Sequence, residues 1–597
     1  MYRNVYYDSR KSKIHIWETF KGENLYDTFA WVPYCYEYND DGSVKTIDGR
    51  KAKKITFDNY FEYHKYQEVH NQCLENRVKP EIQFLAERYH TITDDVEAPK
   101  LRIYSIDIET HGDVGFSGPE EAAHPITCVS IHDLLDNKTY TFGRHAYTGK
   151  YNGEPWFEYK HCTNEEQLLN SVFNFFQKKP PDVITGWSIL AETQSYMGFD
   201  IPYLINRCKK LFGEDTDLYR KFSPIGVVRT WKPKLSEGMA IDIAGLTILD
   251  YIDLYKWYSP NKLENYTLDN VCKTELDKGK VDYSEYNDLK ELYTKDWNKY
   301  VEYNVIDALR VGQLEEDLGY IKLVQTLAIL CKSPMKFYNS MTALIEGLML
   351  TYYRQKGMCA SRMFGGTQET FEAAFVKEPH VGRYDWVIDL DIVSSYPTAI
   401  ITLNMSPETY YGRIKDLTED EVIHYTREQE FPEITLITMS GTKSLNGVSL
   451  VTFNNGLKKR LLSVAPCGSV FLTSKEGVLV NVMKMLFAKR GKVKKDMIKI
   501  KKSLSELRGD NLIKAKERRD RYNAYQQALK IMLNAIFGAT SVPYSRYFNK
   551  NIAEAIVSCG RHTRAQGEKY ANELLNKPND DILTVLNMIK DDLKNGK

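Results

Sequence analysis

Hydrophobic and polar positions change rhythm several times along this chain. Leu101 to Glu109 alternates and predicts a strand; Ile126 to Ile131 predicts another. Helical spacing follows over Asn164 to Gln177, then an apolar strand over Asp182 to Trp187, then helices over Ile201 to Leu211 and Lys295 to Leu314. Strands alternating with helices indicate a mixed α/β domain over 105–330. Residues 1–104 mix polar, aromatic and β-branched positions. They carry turn signals at Asn39-Asp40-Asp41-Gly42 and Asp48-Gly49, and read as a small α+β domain. Residues 331–375 read as a connector returning to it. A strand over Trp386 to Asp391 opens the next unit, 376–480. The segment 481–540 lacks proline and is broken at Gly509 to Asn511, so two long helices joined by a turn are expected there. The block 541–597 holds a further helix, Asn551 to Leu575, and a short tail helix over 582–597 suited to a junction with a partner. The fold class is therefore multidomain, α/β and α+β.

Charge sharpens one part of this picture. The chain is neutral overall, yet Lys484 to Arg521 holds 15 Lys/Arg against 5 Asp/Glu. A strongly basic segment in a neutral protein suggests a polyanionic partner. The ten cysteines are scattered singly, without zinc-ligand spacing, which suits reduced thiols in a cytoplasmic setting. No run of about 18 apolar residues is present, so no membrane partner is expected.

The candidate chemistry lies in acidic residues. Asp107 and Glu109 are two apart on a strand and face one side, where they repel unless a cation lies between them. Phe199-Asp200-Ile201-Pro202-Tyr203 offers a third carboxylate at a helix start. Tyr303-Asn304-Val305-Ile306-Asp307 supplies a fourth, with Tyr303 one turn from Asp307. Such a set can hold two divalent ions that act on a phosphodiester. A second constellation begins at Asp389-Leu390-Asp391-Ile392-Val393-Ser394-Ser395-Tyr396-Pro397-Thr398. It continues with Phe487-Ala488-Lys489-Arg490-Gly491-Lys492-Val493-Lys494 and with Lys530-Ile531-Met532-Leu533-Asn534-Ala535-Ile536-Phe537-Gly538.

In order and type these segments resemble the family B DNA polymerases, most closely the replicative enzymes of tailed bacteriophages. The resemblance runs through nearly the whole chain and also takes in Phe375 to Pro379, Met405 to Thr409 and Leu249 to Tyr255. It implies an N-terminal domain, an RNase H-like 3′–5′ exonuclease domain, and part of a right-hand polymerase with a palm and two-helix fingers. By resemblance, Asp107, Glu109, Asp200 and Asp307 are exonuclease metal ligands and Tyr303 positions the water. Asp391 and the Ile392 carbonyl hold the polymerase metals. The turn through Ser394, Ser395 and Tyr396 covers the triphosphate, and Tyr396 excludes a 2′-hydroxyl. Arg490 and Lys494 hold the γ- and β-phosphates. Lys530 serves the α- and β-phosphates and the leaving group as a catalytic residue, with Asn534 on its helix face. The cofactor implied is Mg²⁺, or Mn²⁺ in its place. The chain departs from the family pattern at Ser188, at the extra residues 189–198, and at Ser395, Thr398, Ala535 and Phe537.

One expected element is not in the sequence. No Tyr-Gly-Asp-Thr-Asp-Ser type strand follows residue 575. Asp215-Thr216-Asp217 lies far upstream without the preceding Tyr-Gly and reads as a surface loop. The expectation is the N-terminal subunit of a split polymerase without a thumb. A second chain would supply the missing aspartate and thumb, and through it a sliding clamp. Primer-template DNA and deoxynucleoside triphosphates are the other partners, in infected host cytoplasm if the source is viral. Two other functions fit the same residues: a stand-alone 3′–5′ exonuclease and an inactive DNA-binding scaffold.

Overall fold

The computed structural model describes residues 1–575 apart from 71–72, 93–97, 113–114, 191–197, 233–238, 362–377, 379–380, 384–390, 393 and 439. The segment at Phe375 to Pro379 (all but Glu378), the strand expected at Trp386 to Asp391 (all but Asp391) and the tail helix at 582–597 lie outside the described residues.

The N-terminal segment forms a three-stranded antiparallel sheet, Tyr2–Asp8, Lys13–Phe20 and Glu23–Ala30. A second small sheet follows, and Met358–Cys359 joins it by pairing parallel to Val44–Thr46. The chain thus returns to its first domain after residue 331.

The central sheet positions the first site. Its strands are β1 (Ile103–Thr110), β2 (Ile126–Asp133), β3 (Lys138–Gly143), β4 (Phe157–His161), β5 (Val183–Gly186) and β6 (Thr247–Asp250), in the order β4-β3-β2-β1-β5-β6. β1 is antiparallel to β2 and parallel to β5. Tyr104, Ile106 and Ile108 of β1 point into a core with Val172, Phe176 and Ile201. Alternation then places Ser105, Asp107 and Glu109 on the other face. β2 is buried at every position. It is covered on both sides, so its polar residues Thr127, Ser130, His132 and Asp133 are buried with the apolar ones.

The helices end where local chemistry stops them. Asn164 caps the helix Glu165–Lys178 by accepting from the Gln167 N–H at 2.8 Å. Helix α1 is Asp200–Phe212 and α2 is Trp297–Leu318. The helix expected from Lys295 starts two residues later, because the Asp296 side chain caps it through the Lys299 N–H at 3.0 Å. It continues to Leu318, where Gly319 takes the left-handed conformation (φ 69°) that ends it. Then come α3 (Tyr320–Cys331), α4 (Met341–Gln355), α5 (Ser395–Thr402), α6 (Val478–Ser503), α7 (Gly509–Ser541) and α8 (Lys550–Leu575). The break between the two basic helices falls at Leu504 to Arg508. Gly509 to Asn511 already belong to α7, whose first turn carries Asp510 where the helix dipole favours a negative charge.

One large core joins these helices to the N-terminal helix Pro80–Tyr89: Ile82, Leu327, Leu348, Leu486, Met532 and Ile556 are all buried in it. Truncating such a side chain to alanine costs about 2–5 kcal/mol. Two buried arginines add polar ties. Arg354 pairs with Glu75 at 2.6 Å, and Arg546 with Glu346 at 2.8 Å. All ten cysteines are unpaired. Among the described residues no helix is long and apolar enough to cross a membrane.

Candidate active site

The carboxylates converge on the face of β1 that α2 covers. Asp107 and Glu109 project from β1 and keep part of their surface open, while Asp200, at the start of α1, and Asp307, on α2, are buried. Asp200 Oδ1 accepts from the Ile108 N–H at 2.9 Å, tying α1 to β1. Tyr303, Asn304 and Asp307 share one face of α2. The fully buried Asn304 donates to Asp107 Oδ2 at 2.6 Å, and its own Oδ1 has no hydrogen-bond partner. Lys280, from the loop before the helix Leu289–Lys295, donates to Tyr303 Oη at 3.0 Å and to Asp307 Oδ2 at 2.5 Å.

Electrostatics show how strongly these groups compete. Burial and the neighbouring carboxylates Asp307 and Asp200 push Glu109 up to about 8, against the pull of Lys280. Burial pushes Asp200 up to about 7, although the Ile108 N–H opposes it. Asp107 lies well above the carboxylate range through burial, then through Asp307, Glu109 and Asp200. Burial also raises Asp307, with Lys280 opposing it. Burial alone would depress Lys280, but Asp307 and Tyr303 hold it above the usual lysine range. Four acids that cannot all ionise together are a site for positive charge.

Among the described residues, no three His, Cys, Asp or Glu side chains are drawn together as a finished metal cluster. Asn304, Lys280 and the Ile108 N–H take one oxygen each from Asp107, Asp307 and Asp200. The donor set nevertheless fits a hard divalent cation. It is all oxygen, and Asp307 Oδ1 is buried without a hydrogen-bond partner. A cleft of about 520 Å³ opens here, lined by Asp107, Asp307, Lys280, Trp187, Tyr266 and Lys256 among others.

The extra residues 189–198 leave the ligand in place. The Phe199 N–H donates to the Ser188 carbonyl at 2.8 Å, so the excursion closes at its base before Asp200. Buried Asp250 secures the outgoing end by accepting from the Ser188 and Leu190 N–H groups at 2.9 and 3.0 Å. Ser188 itself has φ 65°.

Lys280 lay outside every motif, while Asn304 and Asp250 lay inside quoted segments without a role of their own. Lys280 lies in the polar stretch Lys278-Gly279-Lys280, which has no periodicity, and only the fold brings it to α2. Asn304 sits inside the quoted motif, and its spacing of three from Asp307 was the one available signal.

The second constellation is assembled differently. Ser394 adopts a left-handed turn (φ 54°) that opens α5. Tyr396, on α5, packs against Phe537 of α7 with ring centroids 4.6 Å apart. A Cβ on Gly560 of α8 would lie 3.0 Å from the Tyr396 ring, so glycine there lets α8 approach. Ser395 lies in the first turn of α5; Asp391 and Ile392 are exposed just before it. Arg490 and Lys494 lie one turn apart on α6, and Lys530 and Asn534 one turn apart on α7. Lys494, Lys530 and Asn534 are exposed. Arg490 is half-buried, and its Nε is enclosed without a hydrogen-bond partner. An unsatisfied enclosed guanidinium N–H is costly unless an anion reaches it. At Asp215 to Asp217 the expected surface loop is found; Asp217 pairs with Arg220 at 3.0 Å and is largely exposed.

Comparison with known proteins covers both constellations. Residues 51–271 match the family model for DNA polymerase family B, exonuclease domain, and residues 333–592 match that for DNA polymerase family B. The chain is 27% identical over 522 residues to the DNA-directed DNA polymerase of Escherichia phage RB69, covering 80% of this chain and 56% of that protein. It is 25% identical over 544 residues to the DNA-directed DNA polymerase of Enterobacteria phage T4, with the same coverage of 80% and 56%. It is 24% identical over 528 residues to the DNA polymerase delta catalytic subunit of Dictyostelium discoideum, covering 83% of this chain and 40% of that protein. The chain spans about half the length of the curated phage relatives it matches.

Proposed function

We propose that this chain, which belongs to the family B DNA polymerases, removes nucleotides from the 3′ ends of DNA and holds one part of a DNA-synthesis site. The observation that carries the nuclease reading is the convergence of Asp107, Glu109, Asp200 and Asp307, with Asp307 Oδ1 left without a hydrogen-bond partner.

On this reading the four carboxylates hold two divalent cations, Mg²⁺ or Mn²⁺. When bound, such ions supply positive charge for the phosphodiester and acidify a coordinated water. The chain's own groups do the rest. Asn304 keeps one oxygen of Asp107 engaged, so that the other faces the cleft. Lys280 offers positive charge beside Asp307. The Tyr303 hydroxyl accepts from Lys280 and hydrogen-bonds with Asp307, which would set it beside the cations to orient a water.

The second constellation would be the nucleotide-binding part of a right-hand polymerase, with palm and two-helix fingers and an RNase H-like nuclease domain beside them. Asp391 and the Ile392 carbonyl would face the cations there. The turn at Ser394, Ser395 and Tyr396 would present its amides to the triphosphate. Arg490, Lys494 and Lys530 would neutralise phosphate, and Asn534 would line their side. In our reading DNA synthesis also requires a second chain that supplies a further carboxylate and a thumb, and through it a sliding clamp. The setting is the cytoplasm in which the DNA is copied.

A labelled primer-template tests both parts. The chain alone with Mg²⁺ shortens the primer, and a polypeptide carrying the missing motif adds extension. No shortening overturns the nuclease reading. No gain on mixing overturns the two-chain reading.

A further inference from the structure

Away from both sites, a cavity of about 670 Å³ opens where α3 and α4 meet α6 and α7. Leu348 and Met485 give it apolar walls, and the rings of Tyr352 and Tyr522 line it. Among the described residues its charged members are cations. Lys332 follows α3 in a left-handed conformation (φ 50°) and is only 6% exposed. Its ammonium donates to the Ile329 carbonyl at 2.9 Å, a neutral acceptor three residues back. Among the described residues no carboxylate acts on it. Burial and the nearby Lys489 push it down to about 8. Arg518, on the exposed side of α7, donates to Tyr522 Oη at 3.3 Å, with its guanidinium 5.4 Å from that ring's centroid.

A buried ammonium whose acceptor among the described residues is a neutral carbonyl is costly to keep. Here it lines a cavity sized for a small organic molecule rather than a peptide. The second cation sits against an aromatic ring, an arrangement suited to a flat ligand that is also an anion. We infer that this cavity binds a nucleoside 5′-phosphate, with the phosphate at Lys332 and Arg518 and the base among Tyr352, Tyr522, Leu348 and Met485. Because the walls belong to α3 and α4 on one side and α6 and α7 on the other, the ligand bridges these helix pairs. The site depends on neither the nuclease nor the polymerase reading.

Calorimetric titration of the full chain with adenosine 5′-monophosphate in EDTA tests this, since chelation removes the divalent cations both other sites would use. Saturable binding is expected. Lys332→Met and Arg518→Gln should each weaken it by about tenfold, the loss of one charge-assisted contact. Lys332→Arg should restore most of it, and Arg490→Ala should leave it unchanged. Lys332→Met removes a buried charge but keeps the apolar stem, and Arg518 is exposed, so both variants should fold; thermal unfolding checks this. Three results overturn the proposal: no saturable binding, affinity unmoved by Lys332→Met and Arg518→Gln, or affinity lost in Arg490→Ala instead. Adenosine or inorganic phosphate binding as tightly as the nucleotide overturns it as well.

Discussion

The two constellations hold charge of opposite sign, and they are braced to different degrees. Around β1, α1 and α2 the carboxylates are held by the fold itself: Ile108 N–H on Asp200, Asn304 on Asp107, Lys280 on Asp307. Around α5 to α8 the protein fixes a platform, Tyr396 between Phe537 and Gly560, and leaves Lys494 and Lys530 in solvent. The first region buries repelling acids and so stores a demand for cations. The second displays cations and awaits an anion. Acids tied to one another's elements, from one strand and two helices, are preorganised by the fold; cations displayed on two long helices are ordered when an anion arrives.

The largest effect that would break this contrast comes from the acids. Asp107→Ala with Glu109→Ala is expected to lower primer digestion by roughly a thousandfold or more, since charge at the reacting phosphate is then unmatched. DNA binding, measured by filter retention, should stay nearly unchanged, because other phosphate contacts carry it.

Next comes the bracing. Asn304→Leu should lower digestion by about 10–100-fold, the usual cost of losing a group that orients a metal ligand. It should also move the rising limb of the pH profile upward, because Asp107 loses a donor to its ionised form. Asn304→Asp should move it further. A lower rate with an unmoved profile would assign Asn304 to packing alone.

On the other side, Arg490→Ala should weaken triphosphate binding on a primer-template by about tenfold, a loss near 1.5 kcal/mol. Digestion should be untouched. Equal loss of both activities would mean that the regions are not separable.

A smaller effect concerns stability. Glu109 and Asp200 titrate near 8 and 7 in the fold, above their unfolded values. The native state therefore binds more protons than the unfolded chain, and cation-free stability falls as pH rises from about 4 to 8. Glu109→Gln should raise the cation-free melting temperature at pH 8.5 by about 2 °C or more and change little at pH 5. Mg²⁺ should stabilise the unmutated chain more at pH 8.5 than at pH 5. The opposite trend would show that these acids are not the linked groups.

The smallest effect is expected from excising residues 191–197 and rejoining the ends with a short glycine link. Digestion should change by no more than roughly twofold, because the excursion closes at Ser188 and Phe199 and loop length costs little. A large loss would give that segment a role at the cleft.

Much of this contrast was legible in the sequence, for physical reasons that differ by element. Alternation in Leu101 to Glu109 put Asp107 and Glu109 on one face, as the register of β1 against β2 shows. Periodicity located α1, α2 and α8 within a few residues. It missed the start of α2, since the Asp296 cap is a local hydrogen bond rather than a pattern. It placed the break between α6 and α7 too late, because Gly509 reads equally as a turn or as a first helical residue. The hairpin Val228–Trp231 with Ala240–Ile243 and the five-stranded sheet over 410–472 were not anticipated; their strands are short and mixed in polarity. Lys280 was out of reach and Asp250, though inside a quoted segment, had no assignable role, because each acts across a distance in sequence that only the tertiary fold closes.

The central claim is that the carboxylates gathered around β1, α1 and α2 act as a 3′–5′ nuclease site. Incubation of a 5′-labelled primer-template with the chain alone in Mg²⁺, with and without the four deoxynucleoside triphosphates, tests it most directly. The account predicts shortening of the primer in the reaction without triphosphates. No shortening there would contradict it.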